Sequence, residues 1–278
     1  MRRVTLMLCC GGLFALGLPG CAPPANRIIG AGDIAGCAWT NDSKTADVID
    51  SLGGTVVTFG DNAYQSGTST QFKDCYKPTW GRHDARVRPA PGNHDYLTPG
   101  ASGYFGYFGS KAGPTGRGYY HYDVGSWRVF SLNSEANIPA SAAYVRANAG
   151  GKKCIAAYWH KPFVSSGPHG NDPSVKPLWE ALYDVGGDIV LNGHDHDYER
   201  FAELGRSGLP QAAGMREFVV GTGGAGGYPI GTPKPGSERR GSGVFGVISI
   251  NLNADGYAWR FHPIEGQSFA DSGSGNCA

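Results

Sequence analysis

The residues best suited to chemistry sit where short apolar runs end. In Asp188-Ile-Val-Leu-Asn-Gly-His-Asp-His196 such a run closes on a glycine and then presents two histidines. Residues i and i+2 of an extended backbone point the same way. His194 and His196 therefore face together with Asp195 turned elsewhere, and the two imidazoles can share one cation or serve two adjacent ones. One His-x-His is a weak signal on its own. The form recurs, however. Arg27-Ile-Ile-Gly-Ala-Gly runs into Asp33, Thr55-Val-Val-Thr-Phe59 into Gly60-Asp61-Asn-Ala-Tyr64, Ala85-Arg-Val-Arg-Pro-Ala90 into Gly92-Asn93-His94-Asp95, and Cys154-Ile-Ala-Ala-Tyr-Trp159 into His160. Asp and Asn are ordinary turn residues, but five coincidences of one kind leave that reading poor. Carboxylate, amide oxygen, phenol and imidazole are donors for hard or intermediate cations, and no sulfur is offered.

For these side chains to meet, the runs must be strands whose carboxyl ends share one rim, as in open α/β sheets. The spacing of Ala46, Val48, Ile49 and Leu52 predicts a helix over Thr45 to Leu52, stopped by Gly53-Gly54, and strand-helix-strand is the sign of a parallel unit. A Gly-, Tyr- and Phe-rich stretch from Tyr96 to Gly118 reads as an ordered loop that walls the site, because its aromatics need burial. Tyr119 to Val124 and Trp127 to Leu132 form a hairpin, and Val175 to Val185 a helix packing Leu178, Trp179 and Leu182. Glu217 to Gly221, Val244 to Leu252 and Tyr257 to His262 read as later strands, and the Ser- and Gly-rich end as a loose tail. The expectation is an α/β (α+β) fold in which two mixed β-sheets pack together with helices outside.

Taken in this order, Gly32-Asp33, Gly60-Asp61-Asn-Ala-Tyr64, Gly92-Asn93-His94-Asp95, Ala157-Tyr-Trp-His160 and Gly193-His194-Asp-His196 resemble the motif set of the calcineurin-like metallophosphoesterases, and within them the purple acid phosphatase branch. The resemblance implies an αββα sandwich spanning the mature chain. It also implies two metal ions, one held by Asp33, Asp61, Tyr64 and His196 and one by Asp61, Asn93, His160 and His194, with Asp61 bridging. Most of the superfamily opens with Asp-x-His, whereas Ala35 stands here, and a phenolate from Tyr64 would replace the missing imidazole. A tyrosine, with an ordinary pKa of about 10, ionises only at a strongly acidic cation. Fe(III) is therefore expected in the tyrosine site, and Fe(II), Zn or Mn in the other. Such a pair outweighs the charge of Asp33, Asp61 and the phenolate and favours an anionic substrate.

The expected activity is hydrolysis of phosphate monoesters on small molecules, by attack of metal-bound hydroxide on phosphorus. His94 would protonate the leaving group or bind phosphate, Asp95 would orient His94, and His169 in Ser165-Ser-Gly-Pro-His169-Gly is a candidate phosphate contact. A phosphodiesterase or nucleotidase with the same site is the alternative, and a lipid-tethered metal-holding protein without turnover a more distant one. His83, His121 and His262 lie outside every motif and read as structural. Gly221-Thr-Gly-Gly-Ala-Gly226 matches a dinucleotide-binding loop, but Pro229 forbids the helix that loop requires. No serine has a convincing base and orienting partner for nucleophilic chemistry.

Residues 1–20 run from Arg2-Arg3 through an uncharged apolar middle to small residues, which reads as an export signal. Leu18-Pro-Gly-Cys21 resembles a lipoprotein processing box, so Cys21 is a candidate lipid acceptor and membrane tether, ahead of a short linker over 21–26 and one domain over 27–278. The expected location is periplasmic or extracellular. Without Arg2 and Arg3 the 24 basic residues fall to 22 against 23 acidic ones, and that near balance gives no reason to expect a nucleic-acid partner. Beyond Cys21 four cysteines remain, which an exported chain most economically uses as two disulfides. Of three pairings, Cys37 with Cys75 joins loops beside two motifs and Cys154 with Cys277 pins the tail; no Cys-x-x-Cys supports a thiolate zinc site.

Overall fold

The computed structural model describes residues 26–114 and 116–277. The expected leader, Cys21 and nearly all of the linker lie outside them. Two mixed sheets form the body. One has six strands in the order β13-β12-β11-β1-β2-β3 and the other seven in the order β10-β8-β9-β7-β6-β5-β4. The first joins β1 (Arg27–Ala31), β2 (Thr55–Phe59) and β3 (Val87–Ala90) to β11 (Gly246–Leu252), β12 (Gly256–Pro263) and β13 (Ser272–Asn276). The second contains β4 (Tyr120–Val124), β5 (Trp127–Ser131), β6 (Cys154–Tyr158), β7 (Ile189–Asn192), β8 (Asp197–Leu204), β9 (Met215–Val220) and β10 (Ser237–Ser242). β1, β2 and β3 run parallel, as do β5, β6, β7 and β9. Their carboxyl ends thus form the two facing rims from which the motifs emerge.

Central parallel strands are apolar on both faces because both faces are covered. β6 shows the division residue by residue. Cys154, Ala156 and Tyr158 enter a core between the sheets, while Ile155 and Ala157 enter a second core on the outer face. Ile189 and Leu191 of β7 likewise point inward and Val190 outward. The outer core is closed by two helices, α5 (Ile138–Asn148) and α6 (Lys176–Asp184). Leu178, Trp179 and Leu182 of α6 are fully buried there, each contributing about 1.5–3 kcal/mol. On the far side α1 (Asn41–Asp50) buries Ala46 and Ile49 against the first sheet.

Several elements differ from the sequence reading. The aromatic stretch after Tyr96 is not a plain loop: it holds α4 (Ser102–Phe108), whose Tyr104 and Phe108 pack on Phe72 and Tyr76. Two shorter helical turns, α2 (Ser69–Gln71) and α3 (Asn93–Tyr96), precede it. α5, β8 and β10 carry no clear apolar period and were not legible. The Ser- and Gly-rich tail forms the edge strand β13, paired with β12 from Gly256–Asn276 to Arg260–Ser272. Disulfides Cys37–Cys75 and Cys154–Cys277 are present as expected, the second tying β6 to the residue after β13.

Candidate metal centre

Each motif leaves its strand through a residue that must pass close to another motif. A Cβ on Gly60, at φ +85°, would lie 2.6 Å from the His160 imidazole, and one on Gly92 would lie 2.2 Å from Asp61 Oδ1. The glycines therefore let the loops close upon one another. Asp33, Asp61 and His194 adopt left-handed φ values of 62°, 50° and 73°. Non-glycine residues enter that region at a cost and are held there by their surroundings, a pattern frequent at functional sites.

Two groups of donor atoms result. The Tyr64 hydroxyl oxygen lies 2.9 Å from Asp33 Oδ1, 3.1 Å from Asp61 Oδ2 and 3.2 Å from His196 Nε2. His160 Nε2 lies 2.9 Å from Asn93 Oδ1, 3.2 Å from His194 Nδ1 and 3.3 Å from the same Asp61 Oδ2. Ligands about 2.1 Å from a cation are about 3.0 Å apart in an octahedron and about 3.4 Å apart in a tetrahedron. The spacing of both groups fits two cations that share Asp61. The outer atoms are fixed as well. His160 Nδ1 donates to Phe59 O and His196 Nδ1 to Gly226 O, both at 2.8 Å, which turns Nε2 of each ring inward. The backbone N–H of His94 donates to Asp61 Oδ1 and that of His194 to Asp33 Oδ2, also at 2.8 Å.

A family model described as calcineurin-like phosphoesterase matches residues 27–198, well over half of the 278-residue chain. The chain belongs to the calcineurin-like phosphoesterase family. The family's reaction class is metal-dependent phosphoester hydrolysis, and a dinuclear metal site goes with it. No curated protein matches the sequence. Among solved structures, purple acid phosphatase PPD1 from yellow lupin seeds superposes with a TM-score of 0.69 at 16% identity, over 91% of this chain and 54% of that one. The chain thus spans about half the length of the lupin protein. GAP50, the anchor in the inner membrane complex of Plasmodium, gives 0.69 at 14% identity over 91% and 89% of the two chains. PhoD gives 0.62 at 13% identity over 91% and 70%. At these identities the likenesses establish the fold.

Around these donor atoms, each charge depends on its neighbours. Burial would raise the Asp61 carboxyl, yet the His160 and His94 imidazoles hold it at about 2. Burial would lower His160, but Asp61 lifts it to about 10. Tyr64 is pushed well above its ordinary value by burial and then by Asp33 and Asp61. Burial, His160 and His169 push His194 down to about 3. Positive charge at their centre would offset the burial of these crowded carboxylates and the phenol.

His94 stands at the mouth. Its Nδ1 donates to Gln65 O at 2.6 Å, its ring packs on Tyr64 at 4.4 Å, and its Nε2 lies 3.8 Å from Asp61 Oδ2. Asp95 does not orient it, contrary to expectation. Asn93–Tyr96 is a helical turn, and Asp95, its third residue, reaches back to accept from Gly92 N at 2.9 Å. The same carboxylate accepts from Asn62 N and Nδ2, fully buried beneath the site, where burial and Asp61 raise it to about 7. The orienting group is the Gln65 carbonyl, which no side-chain pattern could reveal. His169 stacks on His194 at 4.1 Å and Tyr228 on His196 at 4.0 Å, while Trp39 packs tilted against Tyr64 at 5.0 Å. His83, His121 and His262 lie elsewhere, bonded to Ala46 O, Tyr144 and Ser249. The glycine-rich loop after β9 is a clamp on the Asp33 motif: Gly223 N and Ala225 N donate to Gly32 O and Asp33 O at 2.9 Å.

Proposed function

We propose that this phosphoesterase is a dinuclear-metal phosphatase acting on monoesters of small molecules, of the purple acid phosphatase type. The observation that carries the reading is the sharing of Asp61 Oδ2 between two donor groups, with two imidazoles, His94 and His169, at their open side. Asp33, Asp61, Tyr64 and His196 would hold Fe(III), which suits a phenolate, and Asp61, Asn93, His160 and His194 a divalent Fe, Zn or Mn ion. Bound there, the cations would polarise a phosphoryl oxygen and supply a water-derived nucleophile.

The protein's own groups do the rest. His94, its Nδ1 committed to Gln65 O, presents Nε2 to the donor cluster and would pass a proton to the departing alkoxide. The rings of His169 and Tyr228 wall the opposite side. Two disulfides suit an oxidising compartment, and we place the protein outside the cytoplasm. The test is metal analysis of the purified protein with a paired assay of an aryl phosphate monoester and an aryl phosphate diester. Two metals per chain and faster monoester turnover support the reading; faster diester turnover rejects the monoester assignment, and metals without turnover make the chain a metal-holding protein.

A further inference from the structure

Asp195 stands between the two histidines of Gly193-His194-Asp-His196 but belongs to neither donor group. Its side chain turns to the other side of the backbone and is fully buried. There Oδ1 accepts from His169 N at 2.9 Å and from His169 Nδ1 at 3.0 Å, while Oδ2 accepts a short bond from Ser165 Oγ at 2.5 Å. Ser165 Oγ in turn accepts from Gly167 N, and a Cβ on Gly167 would fall 2.2 Å from Asp195 Cγ. The loop is therefore built to lie against this carboxylate.

Two further buried acids hold the same loop. Glu217 accepts from Phe163 N and Val164 N, and Glu199 from Ser166 N and Ser166 Oγ. Three backbone N–H groups of a loop outside the sheets thus end on fully buried carboxylates, with His169 N on Asp195 a fourth. Turn residues alone would hold a surface loop more simply. The single ring this floor delivers to the cleft is His169, half-exposed and stacked on His194. With Nδ1 committed to Asp195, Nε2 is the nitrogen left to meet a ligand.

Resting on the function proposed above, we propose that Asp195 is a positioning residue for phosphoryl binding: held by Ser165, it fixes the His169 imidazole against His194 so that Nε2 contacts a phosphoryl oxygen. Binding of inorganic phosphate by calorimetry, on protein loaded with metals and checked for metal content, tests this. Asp195→Ala and His169→Ala should each weaken phosphate binding about tenfold and raise KM for an aryl phosphate similarly, with metals retained. The double variant should be no weaker than either single one, since both remove the same contact. Asp195→Asn keeps the Oδ1 acceptor and should bind phosphate within about twofold of wild type. Additive losses, loss of metal in Asp195→Ala, or unchanged phosphate affinity would each overturn the proposal while leaving the phosphatase reading intact. Absence of phosphate binding and turnover in the wild-type protein would overturn both.

Discussion

Tyr64 and Asp95 show how much a side chain's role depends on what surrounds it. The Tyr64 hydroxyl lies within 3.2 Å of three other candidate ligands, and its ordinary proton is held firmly by burial and two carboxylates. Only a strongly acidic cation displaces that proton, and a phenolate on Fe(III) absorbs visible light. Tyr64→Phe should therefore abolish the visible band of the iron-loaded protein while leaving its thermal midpoint within a few degrees; an unaltered spectrum would reject Tyr64 as a ligand. Asp95 makes the opposite case. Because its carboxylate caps a helical turn and satisfies Asn62, Asp95→Ala should cost about 1–3 kcal/mol of stability, read from denaturant midpoints. If stability held while the proton-dependent limb of turnover moved, the orienting role expected from the sequence would be restored.

At the scale of elements, the site is a set of strand ends whose loops interlock. Gly92 illustrates the constraint, since it lies two residues past the end of β3 and packs on the bridging candidate Asp61. A methyl group there cannot be accommodated by a flexible neighbour, because the atoms it meets are Asp61 Oδ1 at 2.2 Å and the Asp61 backbone N at 2.3 Å. Gly92→Ala should leave both sheets formed, as judged by circular dichroism, and reduce bound metal by more than half. Retention of full metal content would show that Asp61 does not depend on this approach. The elements that carry motifs were legible because an apolar run and a polar stop differ sharply in composition. β8 and β10 were not, since Asp197-Tyr-Glu-Arg and Ser237-Glu-Arg-Arg place charges on strands whose burial is decided by neighbours distant in sequence.

The whole molecule joins its ends to its middle. β11 to β13 complete the sheet begun by β1 to β3, so the last three strands back the strand that delivers Asp33. His262 on β12 belongs to this supporting layer, bonded to Ser249 Oγ at 2.9 Å. Burial, followed by Arg260 and Arg27, lowers it to about 4 from an ordinary 6.5. Folding thus refuses a proton that the unfolded chain accepts. The associated stability is fully present above pH 6.5 and is lost as pH falls through the window from 6.5 to 4. For this half-buried ring the loss is about 1 kcal/mol. Denaturant midpoints at pH 7 and pH 5 should differ by that amount more in wild type than in His262→Gln; equal differences would show that His262 does not titrate on unfolding.

The sequence alone determined which donors are available and where strands stop, because ligand chemistry and apolar runs are local properties. From these the two-sheet α/β fold and both disulfide pairings could be read. Tertiary structure decided what local patterns do not encode. It turned Asp95 away from His94, gave His94 a backbone carbonyl as partner, folded the Ser- and Gly-rich tail into an edge strand, and set Asp195 beneath His169. Apart from the local cap of Asp95 on Gly92, these outcomes rest on hydrogen bonds between residues brought together by packing, and such bonds leave no period, spacing or composition in the chain.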